Sequence, residues 1–104
     1  MDKMEQFWDE QAEWSRSVFG SDQIRGPQGP LKHLAKEVQE VLADPTDLEE
    51  YADLMFLVVD ATRRADFTYQ QLMDACFAKL VKNKSRKWGP ASLDEPVEHV
   101  RVED

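Results

Sequence analysis

The stretch Asp44-Pro45-Thr46-Asp47-Leu48-Glu49-Glu50-Tyr51-Ala52-Asp53-Leu54-Met55-Phe56-Leu57-Val58-Val59-Asp60 decides the fold. Asp44 followed by Pro45 reads as a helix cap and first helical position, because proline lacks only an N–H that the first turn cannot pair anyway. Asp47, Glu49 and Glu50 fall in the opening turns, where the positive end of the helix dipole favours acids. Leu48, Tyr51, Ala52, Met55 and Val59 keep helical spacing to about Arg64, and Arg63 and Arg64 suit the C-terminal turn. The predicted helix is therefore 45–64. From Leu54 to Val59 it is apolar on every side, so burial all round is expected. A chain of 104 residues has little material to cover such a helix, which points to a dimer or larger assembly.

Upstream, Leu31, Leu34, Ala35, Val38, Val41 and Leu42 repeat at helical spacing and predict a helix over 31–43. Phe7, Gln11, Trp14 and Val18 form one stripe of a first helix over about 4–19, which Gly20 can terminate. Between them, residues 20–30 hold Gly20, Gly26, Gly29, Pro27 and Pro30 and read as a loop. Downstream, Thr68 with Gln71 is a capping-box pattern, and Leu72, Met73, Cys76, Phe77 and Leu80 carry a fourth helix over 68–87. Gly89-Pro90 stops it. Residues 89–104, with Asp94, Glu95, Glu98, Glu103 and Asp104, show no strong period and read as an irregular acidic tail. No stretch alternates with period two. The expected class is all-α, a four-helix bundle forming one domain over residues 1–104 and completed by oligomerisation.

Thirteen Lys and Arg against twenty-one Asp and Glu leave a net charge of −8. That sign opposes a phosphate backbone and argues against a nucleic acid polymer as partner. The longest apolar run, Leu54 to Val59, is far short of the roughly 20 residues that cross a bilayer, so no membrane span is expected. Met1-Asp2-Lys3-Met4-Glu5 does not resemble a secretion signal. Cys76 stands alone and offers neither an intrachain disulfide nor a cysteine metal cage. A reducing cytoplasm suits both.

The charge is segregated. Residues 37–60 contain eight acids, Glu37, Glu40, Asp44, Asp47, Glu49, Glu50, Asp53 and Asp60, and no Lys or Arg. Glu37 with Glu40, and Glu50 with Asp53, each stand three apart, so each pair neighbours on one helix. Two such pairs on adjacent antiparallel helices could converge into a four-carboxylate cluster, whose mutual repulsion a hard divalent cation would offset. Carboxylate oxygens suit Mg²⁺, with Mn²⁺ as an alternative, whereas Zn²⁺ prefers His or Cys. Residues 79–88 are the opposite case, with Lys79, Lys82, Lys84, Arg86 and Lys87 and no acid. Lys79, Asn83 and Arg86 form one stripe, and these side chains suit phosphate oxygens. Acids that hold a cation and a stripe that holds phosphate together describe a site for a metal-complexed polyphosphate.

Plainer readings stand beside these. A solvated helix face explains any single acid pair, and a basic C-terminal turn that complements the dipole explains the Lys/Arg run. His33, four residues before Glu37, fits a surface or pairing role. Cys76 fits core packing. Trp8 and Trp14 fit a core, although a Gln11–Trp14 face could hold a purine.

The pattern Glu37-x-x-Glu40, Glu50-x-x-Asp53 and Lys79-x-x-x-Asn83-x-x-Arg86 resembles the all-α nucleoside triphosphate pyrophosphohydrolases related to MazG. Trp14-Ser15 with Phe19-Gly20, Gly29-Pro30-Leu31-Lys32-His33-Leu34-Ala35-Lys36-Glu37 and Asn83-Lys84-Ser85-Arg86-Lys87-Trp88 resemble a narrower branch, the MazG-like dATP/dGTP diphosphohydrolases of phages and bacteria. The likeness covers most of residues 7–100, including Glu98-His99-Val100. It departs at Lys36, where MazG proper often carries a second acid.

The resemblance implies a helical bundle completed by dimerisation, often as paired dimers, acting on a small-molecule nucleotide in a bacterial or phage-infected cytosol. It implies Glu37, Glu40, Glu50 and Asp53 as Mg²⁺ ligands and catalytic carboxylates, and Lys79, Asn83 and Arg86 as triphosphate contacts. The implied reaction is hydrolysis of dGTP or dATP to the monophosphate and pyrophosphate, by positioning and charge neutralisation. Glu40 is the expected residue to orient or deprotonate the attacking water, and Gln11 and Trp14 are the expected neighbours of the base. The rival readings are a non-catalytic helical module that binds nucleotide or a basic partner, and a related hydrolase acting on dUTP or another nucleotide.

Overall fold

The structure, a computed structural model, describes residues 2–89 and 96–100. It is all-α, as expected, with five helices among the described residues in place of four: α1 (Lys3–Phe19), α2 (Asp22–Arg25), α3 (Gln28–Ala43), α4 (Leu48–Arg64) and α5 (Tyr69–Ser85). Two-residue strands β1 (Lys87–Trp88) and β2 (His99–Val100) pair antiparallel, Lys87 opposite Val100 and Trp88 opposite His99. The chain divides into two compact units, Met1–Leu72 and Met73–Asp104. The expected acidic tail positions Asp94, Glu95, Glu103 and Asp104, and the Pro90 stop, lie outside the described residues.

In the first unit, α4 is the central element, packed against α1, α2 and α3. Its start corrects the sequence expectation. Asp47, not Asp44, is the N-cap and accepts a hydrogen bond from the Glu49 N–H at 3.0 Å. Asp44 instead ends α3 and accepts from the Thr46 hydroxyl at 2.8 Å, an Asx-type turn that competes with helix initiation. The Tyr51 hydroxyl donates to the Pro45 carbonyl at 2.9 Å and fastens that turn to α4.

The expected 20–30 loop is partly helical as well. Gly20 (φ 94°) and Gly26 (φ 63°) adopt left-handed backbone that a side chain would strain, and they bracket α2. Helix α3 begins at Gln28, so Pro30 sits in its first turn, where a missing N–H is harmless. The Thr68–Gln71 box forms as expected, with Gln71 N–H to Thr68 Oγ1 at 3.1 Å and Thr68 N–H to Gln71 Oε1 at 2.8 Å.

The buried face of α1 is Trp8, Gln11, Ala12 and Ser15, one helical stripe rotated from the expected one. Trp14 and Val18 are 49% and 54% exposed. The rotation follows from partners on α4: Gln11 and Ser15 turn inward because Asp60 and Arg63 are there to satisfy them. Helix α4 buries Val59 completely and Leu57 nearly so, yet Met55 is 45% and Leu48 81% exposed, so part of its apolar surface is bare. In the second unit, Gly89 N–H donates to the Glu98 carbonyl at 3.2 Å beside the strand pair. Cys76 is exposed rather than packed in a core.

Candidate functional site

The short 44–47 connection folds α4 back along α3, the most extensive helix pair in the chain. That hairpin brings Glu37 and Glu40, one turn apart on α3, to Glu50 in the first turn of α4. Carboxylate oxygens of the three lie within 4.8 Å of one another. Glu40 shares a hydrogen bond with Glu37, and this with the Glu37 charge raises its pKa above the ordinary carboxylate value. Burial, and then the charges of Glu40 and Asp53, raise that of Glu50. One oxygen of Glu50, Oε2, is buried without any hydrogen-bond donor. Crowded carboxylates with an orphaned, desolvated oxygen fit a hard divalent cation, which would supply the missing partner.

Asp53 falls outside the tight trio. Its charge still acts on Glu40 and Glu50, and it lines an adjoining cavity of about 390 Å³, within the size range of small-molecule sites. Glu37 belongs to both the trio and the cavity wall. The His33 Nε2 lies 3.0 Å from Glu37 Oε1 and holds that carboxylate from one turn below. Trp14, Phe19 and Phe56 form the apolar walls, and Trp14 meets Phe56 and Phe19 edge to face at 5.3 and 5.7 Å between centroids.

Sequence reasoning missed a buried polar lattice at the far end of this cavity. Asp60 Oδ1 accepts from Ser15 Oγ at 2.8 Å, Gln11 Nε2 at 3.2 Å and Arg63 Nη2 at 2.6 Å. Its Oδ2 faces Arg64 Nε at 3.3 Å. Arg63 also donates to Gln11 Oε1 and, at 3.1 Å, to Asp22 Oδ2 on α2. Burial alone would raise the Asp60 pKa, but the hydrogen bonds from Ser15, Gln11 and Arg63 outweigh it and hold the carboxyl below its ordinary range. Arg63 and Arg64 are therefore not the solvated, dipole-complementing residues that their position suggested. The signal was Asp60-x-x-Arg63-Arg64 on an otherwise apolar helix, an intrahelical ion pair that burial makes structural. Gln11 is in this lattice with both amide ends engaged, and it does not line the cavity; Trp14 does.

The basic stripe follows the end of α5, with Lys79 and Asn83 on the helix and Arg86 one residue past it, because the helix stops at Ser85 rather than at the expected residue 87. Arg86 Nη1 donates to Asn83 Oδ1 at 3.3 Å, Trp88 Nε1 donates to the Asn83 carbonyl at 2.9 Å, and Lys79 is exposed. Asn83 and Arg86 are thus pre-set against each other one turn apart.

Residues 7–104 match the family model for dATP/dGTP pyrophosphohydrolase. The Eaa protein of Salmonella phage P22 is 43% identical over 92 residues, which cover 88% of this chain and 28% of that protein. The chain thus spans under a third of the length of that relative. A MazG-like pyrophosphohydrolase of cyanophage S-2L, solved with dGDP and three catalytic Mn²⁺ ions per active site, superposes with a TM-score of 0.76 at 25% identity. That superposition covers 96% of this chain and 94% of the cyanophage protein.

Proposed function

The chain belongs to the dATP/dGTP pyrophosphohydrolase family, and from that premise we propose that it hydrolyses a purine deoxynucleoside triphosphate, dGTP or dATP, to the monophosphate and pyrophosphate. The observation that carries the reading is the orphaned Glu50 oxygen within a three-carboxylate cluster that shares Glu37 with an aromatic-walled cavity. Glu37, Glu40 and Glu50 would hold the cation, with Asp53 beside them; Mg²⁺ is the expected ion and Mn²⁺ a substitute. When bound, such a cation neutralises the carboxylates and the phosphate oxygens and makes water a stronger nucleophile.

The protein's own groups do the rest. Glu40, the exposed member of the trio, takes the proton from the water that attacks the α-phosphorus, and the bond to the bridging oxygen breaks as pyrophosphate leaves. Lys79, Asn83 and Arg86 are the groups assigned to the phosphates, where positive charge offsets what accumulates on the leaving group. Trp14 and Phe56 give the base an apolar wall. Gln11 acts at one remove, by fixing Asp60 and Arg63.

The bare strip Leu48, Tyr51, Met55 and Val58 along α4 supports assembly into a dimer or tetramer. No helix among the described residues is long and apolar enough to cross a membrane. Glu50→Gln tests the reading: it keeps the shape and removes the charge, so turnover with Mg²⁺ or Mn²⁺ should be lost while the circular dichroism spectrum is kept. Full activity in that variant would remove the carboxylate site from the mechanism.

A further inference from the structure

The cavity has two chemically different ends, and α4 supplies both. Asp53, Phe56, Asp60 and Arg64 all line it. Their spacing of three, four and four places them on one helix face, and 11 residues at 1.5 Å each put Asp53 and Arg64 about 16 Å apart along the axis. The acidic end, with Glu37 and Asp53, is where the functional reading places the phosphates. The aromatic walls then lead the nucleoside toward Arg64.

Arg64 is unlike a surface arginine. Its side chain is 2% exposed. Nη2 donates to Ser15 Oγ at 3.1 Å, Nε faces Asp60 Oδ2 at 3.3 Å, and the guanidinium carbon stands 5.8 Å from the Phe19 ring centroid. Phe19 is flanked from α2 by Arg25, at 5.3 Å. The fork is therefore fixed in position before any ligand arrives: Nε is buried and turned to Asp60, which leaves Nη1 and the second N–H of Nη2 as the donors for a ligand. Asp60 Oδ1 accepts from Ser15, Gln11 and Arg63, and Oδ2 is paired in charge with Arg64, so the carboxylate holds the fork in place.

A guanidinium offers donors only. Guanine presents two acceptors, O6 and N7, on one edge, whereas adenine presents N7 beside an amino donor. A fixed donor fork in a desolvated pocket pairs with the first edge and opposes N–H to N–H on the second. Resting on the functional reading above, we propose that Arg64 reads the base and selects guanine over adenine, with Asp60 and Ser15 as the residues that position it.

The test is kcat/KM of the full chain with Mg²⁺ for dGTP, dITP, 7-deaza-dGTP and dATP, in the unaltered protein and in Arg64→Lys, which keeps the charge and loses the fork. The expected result is a dGTP preference over dATP of about tenfold or more, the scale of one bidentate base contact. dITP, which keeps O6 and N7 but lacks the 2-amino group, should match dGTP, and 7-deaza-dGTP should fall toward dATP. In Arg64→Lys the dGTP:dATP ratio should collapse toward unity. Equal or better use of dATP, a dITP rate as low as that of dATP, or an unchanged ratio in a folded Arg64→Lys each overturns the proposal. Should Arg64→Lys not fold, the analogue series on the unaltered protein decides it. Absence of hydrolysis with every triphosphate would overturn the functional reading instead. Tryptophan-fluorescence titration with dGMP, dIMP and dAMP then decides the inference separately: tighter dGMP and dIMP support it, and equal or tighter dAMP overturns it.

Discussion

Asp60→Ala is expected to be among the most destabilising changes in the first unit, although Asp60 is assigned no part in the hydrolysis itself. It removes the acceptor of three hydrogen bonds, from Ser15, Gln11 and Arg63, and the counter-charge of Arg64, all in a region where these side chains are buried. Breaking a buried pair by removing one partner costs about 3–5 kcal/mol, because the other charge stays desolvated. At the lower figure, about 3 kcal/mol, a domain of this size loses roughly 12–24 °C in Tm. Asp60→Asn keeps one carbonyl acceptor and should lose about half as much. Thermal and urea unfolding followed by far-UV circular dichroism in EDTA measures both.

The pH dependence carries a sign. The folded Asp60 carboxyl titrates below its ordinary value of 3.8, so on acidification the unfolded chain takes the proton first. The stability due to its charge is thus complete above that value and is lost as pH falls through the folded pKa. The gap between the unaltered protein and Asp60→Asn should therefore narrow in acid. An Asp60→Ala protein within about 1 kcal/mol of the unaltered one would refute the reasoning. So would an Arg63→Met penalty that is the same with and without Asp60, since a lattice demands coupling between them.

Glu50→Gln should also abolish the rise in Tm that Mg²⁺ or Mn²⁺ confers; the unaltered protein at a hundredfold excess over Kd should gain about 2.7 kcal/mol, read as a concentration-dependent Tm. Because Glu40 and Glu50 titrate above the ordinary carboxylate value, protons compete with the cation there, and cation affinity by calorimetry should strengthen as pH rises through that window and then level off. Met55→Glu places a charge on the bare strip of α4 and should shift the assembly toward monomer by light scattering, with helicity retained. Trp14→Ala should raise KM about tenfold or more for each triphosphate by removing an aromatic wall, an effect read from initial rates.

The acids were legible because spacing on a helix is legible: Glu37, Glu40 and Glu50 meet as three-residue periodicity and a short turn dictate. Helix ends were less so. Asp44-Pro45 has the composition of a helix start, yet the Asp44 side chain is drawn to Thr46 and the helix waits for Asp47, a choice between two local hydrogen bonds that composition does not rank. Gly20 and Gly26 announced breaks but not the short helix between them. The largest miss, the Asp60–Arg63–Arg64 lattice, is tertiary in origin. Charged side chains on a helix end read as solvated until Gln11 and Ser15 of a distant helix are known to face them. That same fact rotated α1, exposed Trp14 and set Gln11 in the lattice behind the cavity rather than in its wall.

The central claim is tested most directly by pyrophosphate release from a panel of ribo- and deoxyribonucleoside triphosphates, with Mg²⁺, with Mn²⁺ and with EDTA, in the unaltered protein and in Glu50→Gln. Metal-dependent release led by a purine deoxynucleoside triphosphate, absent in EDTA and in Glu50→Gln, is the predicted result. No release from any nucleotide by a fully helical protein, or release that persists in EDTA and in the variant, would contradict it.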